Sequence, residues 1–328
     1  MLNTSIHLNE KLLSDKPDMA ATRIGFGEGL LESAKADERI VGLCADLTES
    51  TQMHKFRDAF PTRFVEIGVA EQNLAATAAG MAAMGKIAFI SSYAMFSPGR
   101  NWEQIRTTAA YNGRPVKIVG SHAGISVGPD GGTHQAIEDI ALMRVIPRMT
   151  VVYPCDSNQA RLATLAIAQD DKLPAYIRLA REKTPIITTP ETPFELGKAQ
   201  ELWRSPSPKV ALIATGTLVY NTLIAAKKLE EQGIGSIVLN IHTIKPLDEA
   251  AIIAAAKTCG AVVSIEEHQI AGGLGSAIAE VLARNHPTKQ AFIGVHDEFG
   301  QSGTMAELWK YYKLDTDSIV EAAQHVTS

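Results

Sequence analysis

The sequence predicts an α/β protein with two domains, each built on a mostly parallel sheet. Three observations predict it. Short, nearly continuous apolar runs alternate with longer helix-like segments, the pattern of strands covered on both faces by crossover helices. The alternation breaks at a stretch rich in proline and threonine, then resumes. The 328 residues are about two domains' worth at roughly 150 residues each.

Taken in order, the first alternation predicts strands over 40–44, 64–69, 87–91, 116–121, 150–153 and 175–179. Helices are predicted over 52–60, 70–84, 101–111, 137–145 and 157–169. Pro185, Pro190, Pro193, Pro206 and Pro208 then crowd one segment. Proline lacks the N–H that a helix interior or a central strand needs, so the segment reads as a linker. Beyond it come VALIAT, a helix through LIAAKKLEEQG, SIVLNI, a helix through EAAIIAAAKT, AVVSIEE, a helix opening after GGLGS, and AFIGV. The expected division is an N-terminal extension over 1–20, a first domain over 21–185, a linker over 186–208 and a second domain over 209–328. The segment 70–84 is dominated by alanine, with Gly80. Small side chains allow close approach, which predicts a helix buried on most sides.

Composition excludes several function classes. Hydrophobic residues make up 45% and charged residues 20%, a globular balance rather than a disordered one. No apolar run approaches the ~18 residues of a membrane span, and no secretory signal is visible near Met1. With 31 Lys and Arg against 36 Asp and Glu, the formal charge is -5. That excludes a general basic footprint for nucleic acid. Cys44, Cys155 and Cys259 are odd in number and far apart, so neither a disulfide framework nor a zinc site is indicated. A reducing, cytoplasmic setting is the expectation.

Four segments carry candidate chemistry. In SHAGISVGPDGGTHQAIED, His122 and His134 bracket Asp130 in a glycine-rich loop after the apolar strand VKIV. The carboxyl ends of parallel strands are where open α/β sheets bind ligands. Two imidazoles and a carboxylate there can hold a hydroxylated substrate and move protons near neutral pH; the same spacing also fits a surface loop whose histidines cap helices. In RFVEIGVAEQN, Glu66 lies within a strand and Glu71 opens the alanine-rich helix. The helix dipole favours an ionised Glu71 and burial opposes it, opposed pressures that suit an acid–base carboxylate. A plain helix-terminal charge explains it as well. In LCADLTEST, Asp46 or Ser50 is placed either for chemistry or to cap the next helix. In SSYAMFSPGRNWEQIR, Tyr93, Phe96 and Trp102 are either core or a wall for a flat heterocycle. Arg23 and Arg181 flank the first domain in sequence and suit either surface ion pairs or a phosphate clamp. GGLGS lacks a full GxGxxG and reads as a helix-opening turn or a subunit contact.

Together these segments resemble the C-terminal two-thirds of transketolase, from about Ala21 to about Val320. The most specific stretch is H-x7-D-G-x-T-H-Q, here His122, Asp130, Gly131, Thr133, His134 and Gln135. ATR at 21–23, ADL-x-x-S at 45–50, GVAEQN at 68–73, LAR at 179–181, HTIKPLD at 242–248 and EEHQIAGGLGS at 266–276 follow in family order. The resemblance implies a pyrimidine-binding domain over 21–185 and a transketolase C-terminal domain over 209–328. It implies thiamine diphosphate between subunits, with Glu71 on the aminopyrimidine, Tyr93 and Phe96 as its aromatic wall and Asp46 on the cofactor side. A third aromatic is unmatched, because the SPGRNW segment holds a small insertion. On the substrate side the resemblance assigns Arg23, Ser50, His122 and Arg181 to sugar hydroxyls and phosphate, Asp130 to the acceptor C2 hydroxyl, and His134 to the donor C1 hydroxyl. His122 and His134 join Glu71 as catalytic candidates.

The implied reaction passes a two-carbon ketol unit from a ketose phosphate to an aldose phosphate, as in the pentose phosphate pathway. The family's GDG metal motif is absent. The resemblance is therefore to the second, C-terminal subunit of a split transketolase. A separate N-terminal subunit is expected to hold the diphosphate and Mg2+ (or Ca2+), and none of this chain's residues is assigned as a metal ligand. Activity is expected only with that partner. Self-association into a homodimer core, or a heterotetramer of two of each subunit, is also implied. The beta subunits of 2-oxo acid dehydrogenases share the domain pair without this loop pattern. 1-Deoxyxylulose-5-phosphate synthase carries Arg where this chain has His122, and its loop is one residue shorter. A non-catalytic binding subunit is the reading of another class, opposed by the intact Glu71, Asp130 and His134.

Overall fold

The computed structural model describes residues 1–328. The first half runs β1 (Met19–Ala20), α1 (Thr22–Ala36), β2 (Ile40–Cys44), α2 (His54–Ala59), β3 (Phe64–Glu66), α3 (Glu71–Ala83), β4 (Ile87–Tyr93), α4 (Trp102–Gln104), β5 (Val116–Ser121), α5 (Asp139–Arg144), β6 (Thr150–Val152), α6 (Ser157–Gln169), β7 (Ala175–Arg178) and β8 (Thr184–Pro185). The second half runs β9 (Gln200–Arg204), β10 (Pro208–Ala214), α7 (Leu218–Glu231), β11 (Gly235–Asn240), β12 (Thr243–Lys245), α8 (Glu249–Cys259), β13 (Ala261–Gln269), α9 (Leu274–Asn285), β14 (Lys289–Val295), α10 (Met305–Tyr311) and α11 (Thr316–Thr327).

Two sheets result. The first has the order β12-β6-β7-β5-β4-β2-β3, parallel except for β12, which pairs antiparallel with β6. Its strands are apolar runs because both faces are covered. One face carries Phe26, Leu30, Ala163 and Ile167 from α1 and α6. The other carries Leu74, Ala78, Ile105 and Met143. Each fully buried aliphatic side chain contributes ~1.5–3 kcal/mol. Helices α1 and α6 touch backbone to backbone, since a Cβ on Gly25 would lie 1.8 Å from the Ser157 carbonyl oxygen. The second sheet has the order β14-β13-β10-β11-β9, parallel except for β9 at its edge. Leu223 and Ala323 cover one face, and Ile252 and Ile278 the other. The two-domain, mostly parallel α/β architecture predicted from the sequence is the architecture observed.

Local departures have physical causes. The segment 186–208 is not plain linker: it holds β9, an edge strand antiparallel to β11, and its last proline, Pro208, opens β10, a strand start being a position that tolerates proline. The N-terminal extension is packed, with Leu2 bridging Trp203 and Leu8 bridging Thr188. Leu12 is fully buried in the second domain's core. Strand β12 comes from the second domain yet completes the first domain's sheet. Helix α3 is buried on one face only; Gln72, Asn73, Ala76, Gly80 and Ala83 are exposed. The predicted helix over 101–111 is α only in α4 and continues as a π-helix over Ile105–Tyr111.

Candidate active site at the strand ends of the first domain

The candidate residues lie at the carboxyl edge of the first sheet. Asp46 follows β2, Glu71 opens α3 after β3, Tyr93 ends β4, His122 follows β5 and Arg181 follows β7. Glu66 organises the first two loops. Its carboxylate accepts from the Asp46 N–H at 2.7 Å, the Gly68 N–H at 2.9 Å and the Thr48 hydroxyl at 2.9 Å. Asp46 is held at φ 56 with its side chain exposed. Neither Asp46 nor Ser50 caps a helix, because α2 begins after Met53 with no side-chain cap.

Four rings meet above β4 and β5. Tyr93 stacks on His122, with centroids 4.0 Å apart, and on Phe96 at 6.2 Å. His134 meets Phe96 edge-on at 5.4 Å and Tyr93 at 6.3 Å. The loop thus brings both imidazoles to one aromatic pair, and neither histidine is a helix cap. His122 is buried, with Nδ1 2.8 Å from the Ser121 hydroxyl and Nε2 3.4 Å from Arg23 Nη1. Burial, reinforced by Arg23, Arg181 and His134, pushes its pKa down to about 3. A ring that stays neutral at pH 7 exchanges hydrogen bonds rather than charge. The Nδ1 of His134 lies 2.9 Å from the Thr133 hydroxyl. Asp130 is exposed at the end of the short turn Ile125–Asp130 and is not among the stacked groups.

Two guanidinium groups border the cluster. Arg23 donates to the Ser50 carbonyl at 2.9 Å, and its Nε is buried without a partner. Arg181 donates to the Val127 carbonyl at 2.7 Å and lies 3.4 Å from Glu182. An unpaired buried donor beside a second cation is the setting an anionic substituent satisfies.

Glu71 faces a cleft of about 540 Å³ lined by Val69, Ala70, Glu71, Gln72, Asn73 and Arg100. Its side chain is only 5% exposed. Arg100 Nη1 sits 3.3 Å from both carboxylate oxygens, and the guanidinium carbon lies 4.4 Å from the centre of the Phe96 ring. Nothing in the sequence singles out Arg100; a lone arginine gives no signal. A groove of about 500 Å³ at Arg144, Lys245, Glu249 and Arg284 shares none of these residues.

The second domain holds the histidine loop from below. The Ser126 N–H donates to the Glu267 carboxylate. Arg178, fully buried, donates to the carbonyls of Ala136 at 3.0 Å and Glu267 at 2.9 Å while its Nε pairs with Asp139 at 2.8 Å. The Gln135 amide donates to the carbonyls of Ile125, Gly128 and Gln301. Sequence reasoning missed Glu267 and Arg178 as well. The only signal is two adjacent acids, Glu266 and Glu267, closing an apolar strand.

A family model described as "Transketolase, pyrimidine binding domain" matches residues 18–186, and one described as "Transketolase, C-terminal domain" matches residues 197–319. The chain belongs to the transketolase family. It is 46% identical over 302 residues to the putative transketolase C-terminal section of Methanocaldococcus jannaschii, covering 91% of this chain and 94% of that protein. It is 44% identical over 298 residues to the 6-deoxy-6-sulfo-D-fructose transketolase subunit SqwH of Clostridium sp. (strain MSTE9), covering 91% and 92%. A solved structure described as a split gene transketolase, inactive beta4 tetramer, superposes with a TM-score of 0.87 at 41% identity, covering 94% of this chain and 98% of that one. The resemblance to a split transketolase subunit is therefore confirmed. Transketolase membership implies thiamine diphosphate. The residues present fit its aminopyrimidine end: a buried carboxylate beside the face of Phe96, with Tyr93 adjoining. No three His, Cys, Asp or Glu side chains converge as a metal site. No helix is long and apolar enough to cross a membrane.

Proposed function

We propose that this chain is the second subunit of a split transketolase, moving a two-carbon ketol unit from a ketose phosphate to an aldose phosphate. A separate N-terminal subunit supplies the diphosphate-binding domain and the ligands for Mg2+ (or Ca2+). The observation that carries the reading is the convergence of His122, His134, Tyr93 and Phe96 in one cluster beside the buried carboxylate of Glu71. Thiamine diphosphate, when bound, supplies the electron sink that lets a carbon–carbon bond beside a carbonyl break. Glu71 would hold the edge of the aminopyrimidine ring through its buried carboxylate. Tyr93 and Phe96 would wall that ring and exclude water, and Asp46 would lie on the cofactor side. His122 stays neutral and accepts from, or donates to, a sugar hydroxyl. His134 handles the proton of the donor C1 hydroxyl, and Asp130 reads the acceptor C2 hydroxyl. Arg23 and Arg181, with Ser50, receive hydroxyls and the terminal phosphate.

Self-association belongs to the same proposal. Val69, Met84 and Tyr111 are 68%, 85% and 81% exposed, and Val69 and Met84 flank the exposed small-residue face of α3. Large apolar side chains left in water suit a subunit interface, here the homodimer core of a heterotetramer. A cytoplasmic role in sugar-phosphate exchange of the pentose phosphate type follows.

The test is reconstitution with the GDG-bearing subunit that co-purifies from the native cell, plus thiamine diphosphate and Mg2+. Ketol transfer from xylulose 5-phosphate to an aldose phosphate is expected, and none is expected from the pure chain. 6-Deoxy-6-sulfo-fructose belongs in the donor panel, given the similar Clostridium subunit. Turnover of pyruvate instead would move the reading to a 1-deoxyxylulose-5-phosphate synthase-like or 2-oxo acid dehydrogenase-type enzyme. No turnover by a complex that binds the cofactor would leave a binding subunit.

A further inference from the structure

We propose that Arg100 is a built-in placeholder for the cofactor's aminopyrimidine ring. In the chain by itself its guanidinium covers Phe96 and occupies the carboxylate of Glu71, and it must swing out before the ring can enter. The inference rests on the reading of Glu71 and Phe96 given under the proposed function.

Three observations carry it. First, a buried carboxylate is costly without a partner, and the hydrogen bonds of the Glu71 carboxylate all come from Arg100 Nη1, 3.3 Å from each oxygen. Second, the guanidinium carbon lies 4.4 Å from the Phe96 centroid. A guanidinium is flat, stacks on an aromatic face and donates N–H groups from its edge. An aminopyrimidine meets the same two surfaces with the same two features. Third, only the side chain is free. Asn101, fully buried, donates to the Glu71 carbonyl at 2.9 Å and to the Ser97 hydroxyl at 3.1 Å. The Arg100 N–H donates to the Phe96 carbonyl at 2.9 Å. At Gly99 a Cβ would sit 1.9 Å from the Met95 carbonyl oxygen. The backbone is a tight, tethered turn, whereas the Arg100 side chain is 53% exposed and opens onto the cleft. The SPGRNW segment thus supplies a movable cation.

Guanidinium and ring compete for one carboxylate. Arg100 holds both carboxylate oxygens; the ring would need the same carboxylate. The apparent affinity for the cofactor falls by the fraction of molecules in the open form.

The experiment measures thiamine diphosphate binding, by calorimetry in Mg2+, to the complex reconstituted with the partner subunit, for the unchanged chain and for Arg100→Ala. Arg100→Ala is expected to bind about fivefold tighter, the weight of one exposed ion pair with a cation–π contact. It should also show a larger melting-temperature rise on cofactor addition, because the unliganded variant loses Glu71's partner. In a Glu71→Gln background, the Arg100→Ala gain should vanish. Weaker binding by Arg100→Ala would make Arg100 a fixed wall of the site and overturn the proposal, and unchanged affinity would overturn it too. If neither complex binds the cofactor, the transketolase reading itself falls, and the placeholder with it.

Discussion

In the first domain the loop leaving β3 and the segment after β4 meet at the open cleft beside Glu71 and Arg100. In the second domain the loops leaving β10 and β13 end against the first domain. Both are parallel α/β sheets, and both have a crevice between strands whose connections leave in opposite directions, where such sheets bind ligands. The second crevice is filled from within. Gly216, just after β10, has φ 63 and faces Tyr153 so closely that a Cβ would lie 2.0 Å from the ring. The hydroxyls of Tyr153 and Thr217 both donate to Glu267. The N-terminus of α9, the natural place for an anion, is already taken by a carboxyl group of this chain. Glu266 accepts from the N–H groups of Leu274 at 2.7 Å and Gly275 at 2.8 Å. One crevice leaves Arg23 Nε unpaired beside Arg181; the other commits Tyr153, Thr217 and Ser126 to Glu267 and becomes a clamp under the histidine loop.

That contrast is broken most sharply at Glu71. In the reconstituted complex, Glu71→Gln should cut turnover by roughly 10²–10⁴, with the unfolding midpoint of the chain little changed. Unchanged turnover would remove the chemistry from the first domain. Glu267→Ala tests the clamp. It leaves the Ser126 N–H and two buried hydroxyls without an acceptor, so denaturant unfolding should show a loss of ~3 kcal/mol, with Glu267→Gln losing less. If Glu267→Ala unfolds like the parent, the seam holds nothing. Gly216→Ala asks whether the second crevice is truly full. Overpacking against Tyr153, with the strained φ, should destabilise by ~2 kcal/mol in the same assay.

The contrast also shows as pH slopes of up to ~1.4 kcal/mol per pH unit for each group. His122 titrates near 6.5 when unfolded and is pushed down to about 3 when folded. Its contribution is complete above pH 6.5 and is lost as pH falls towards 3, because only the unfolded chain takes up the proton. Glu266 is pushed up to about 7 from 4.5 by burial, against the helix N–H groups that oppose the shift. Its contribution is complete below pH 4.5 and is lost as pH rises towards 7. Stability measured against pH should therefore show His122→Asn gaining on the parent in acid and Glu266→Gln gaining on it towards neutrality. Equal slopes for both variants would dissolve the contrast between the two regions.

The fold class and most of the strand segments were legible along the chain. Continuous apolar strands, alternating helices and the H-x7-D-G-x-T-H-Q loop are local features, each written within a few consecutive residues. What the chain did not reveal was long-range. Strand β12 crosses to the other domain's sheet through three residues too short to show a period. Leu12 buries itself in a core built from residues far along the chain. Arg100 meets Glu71 across 29 sequence steps, and Glu267 meets Ser126 across 141. Sequence determines which groups a strand end can offer, because side-chain chemistry and strand period are local. Only the tertiary structure decided which of those groups stay available to a ligand and which are consumed in holding two domains together, because that depends on which distant backbone and charge each one meets when water is excluded.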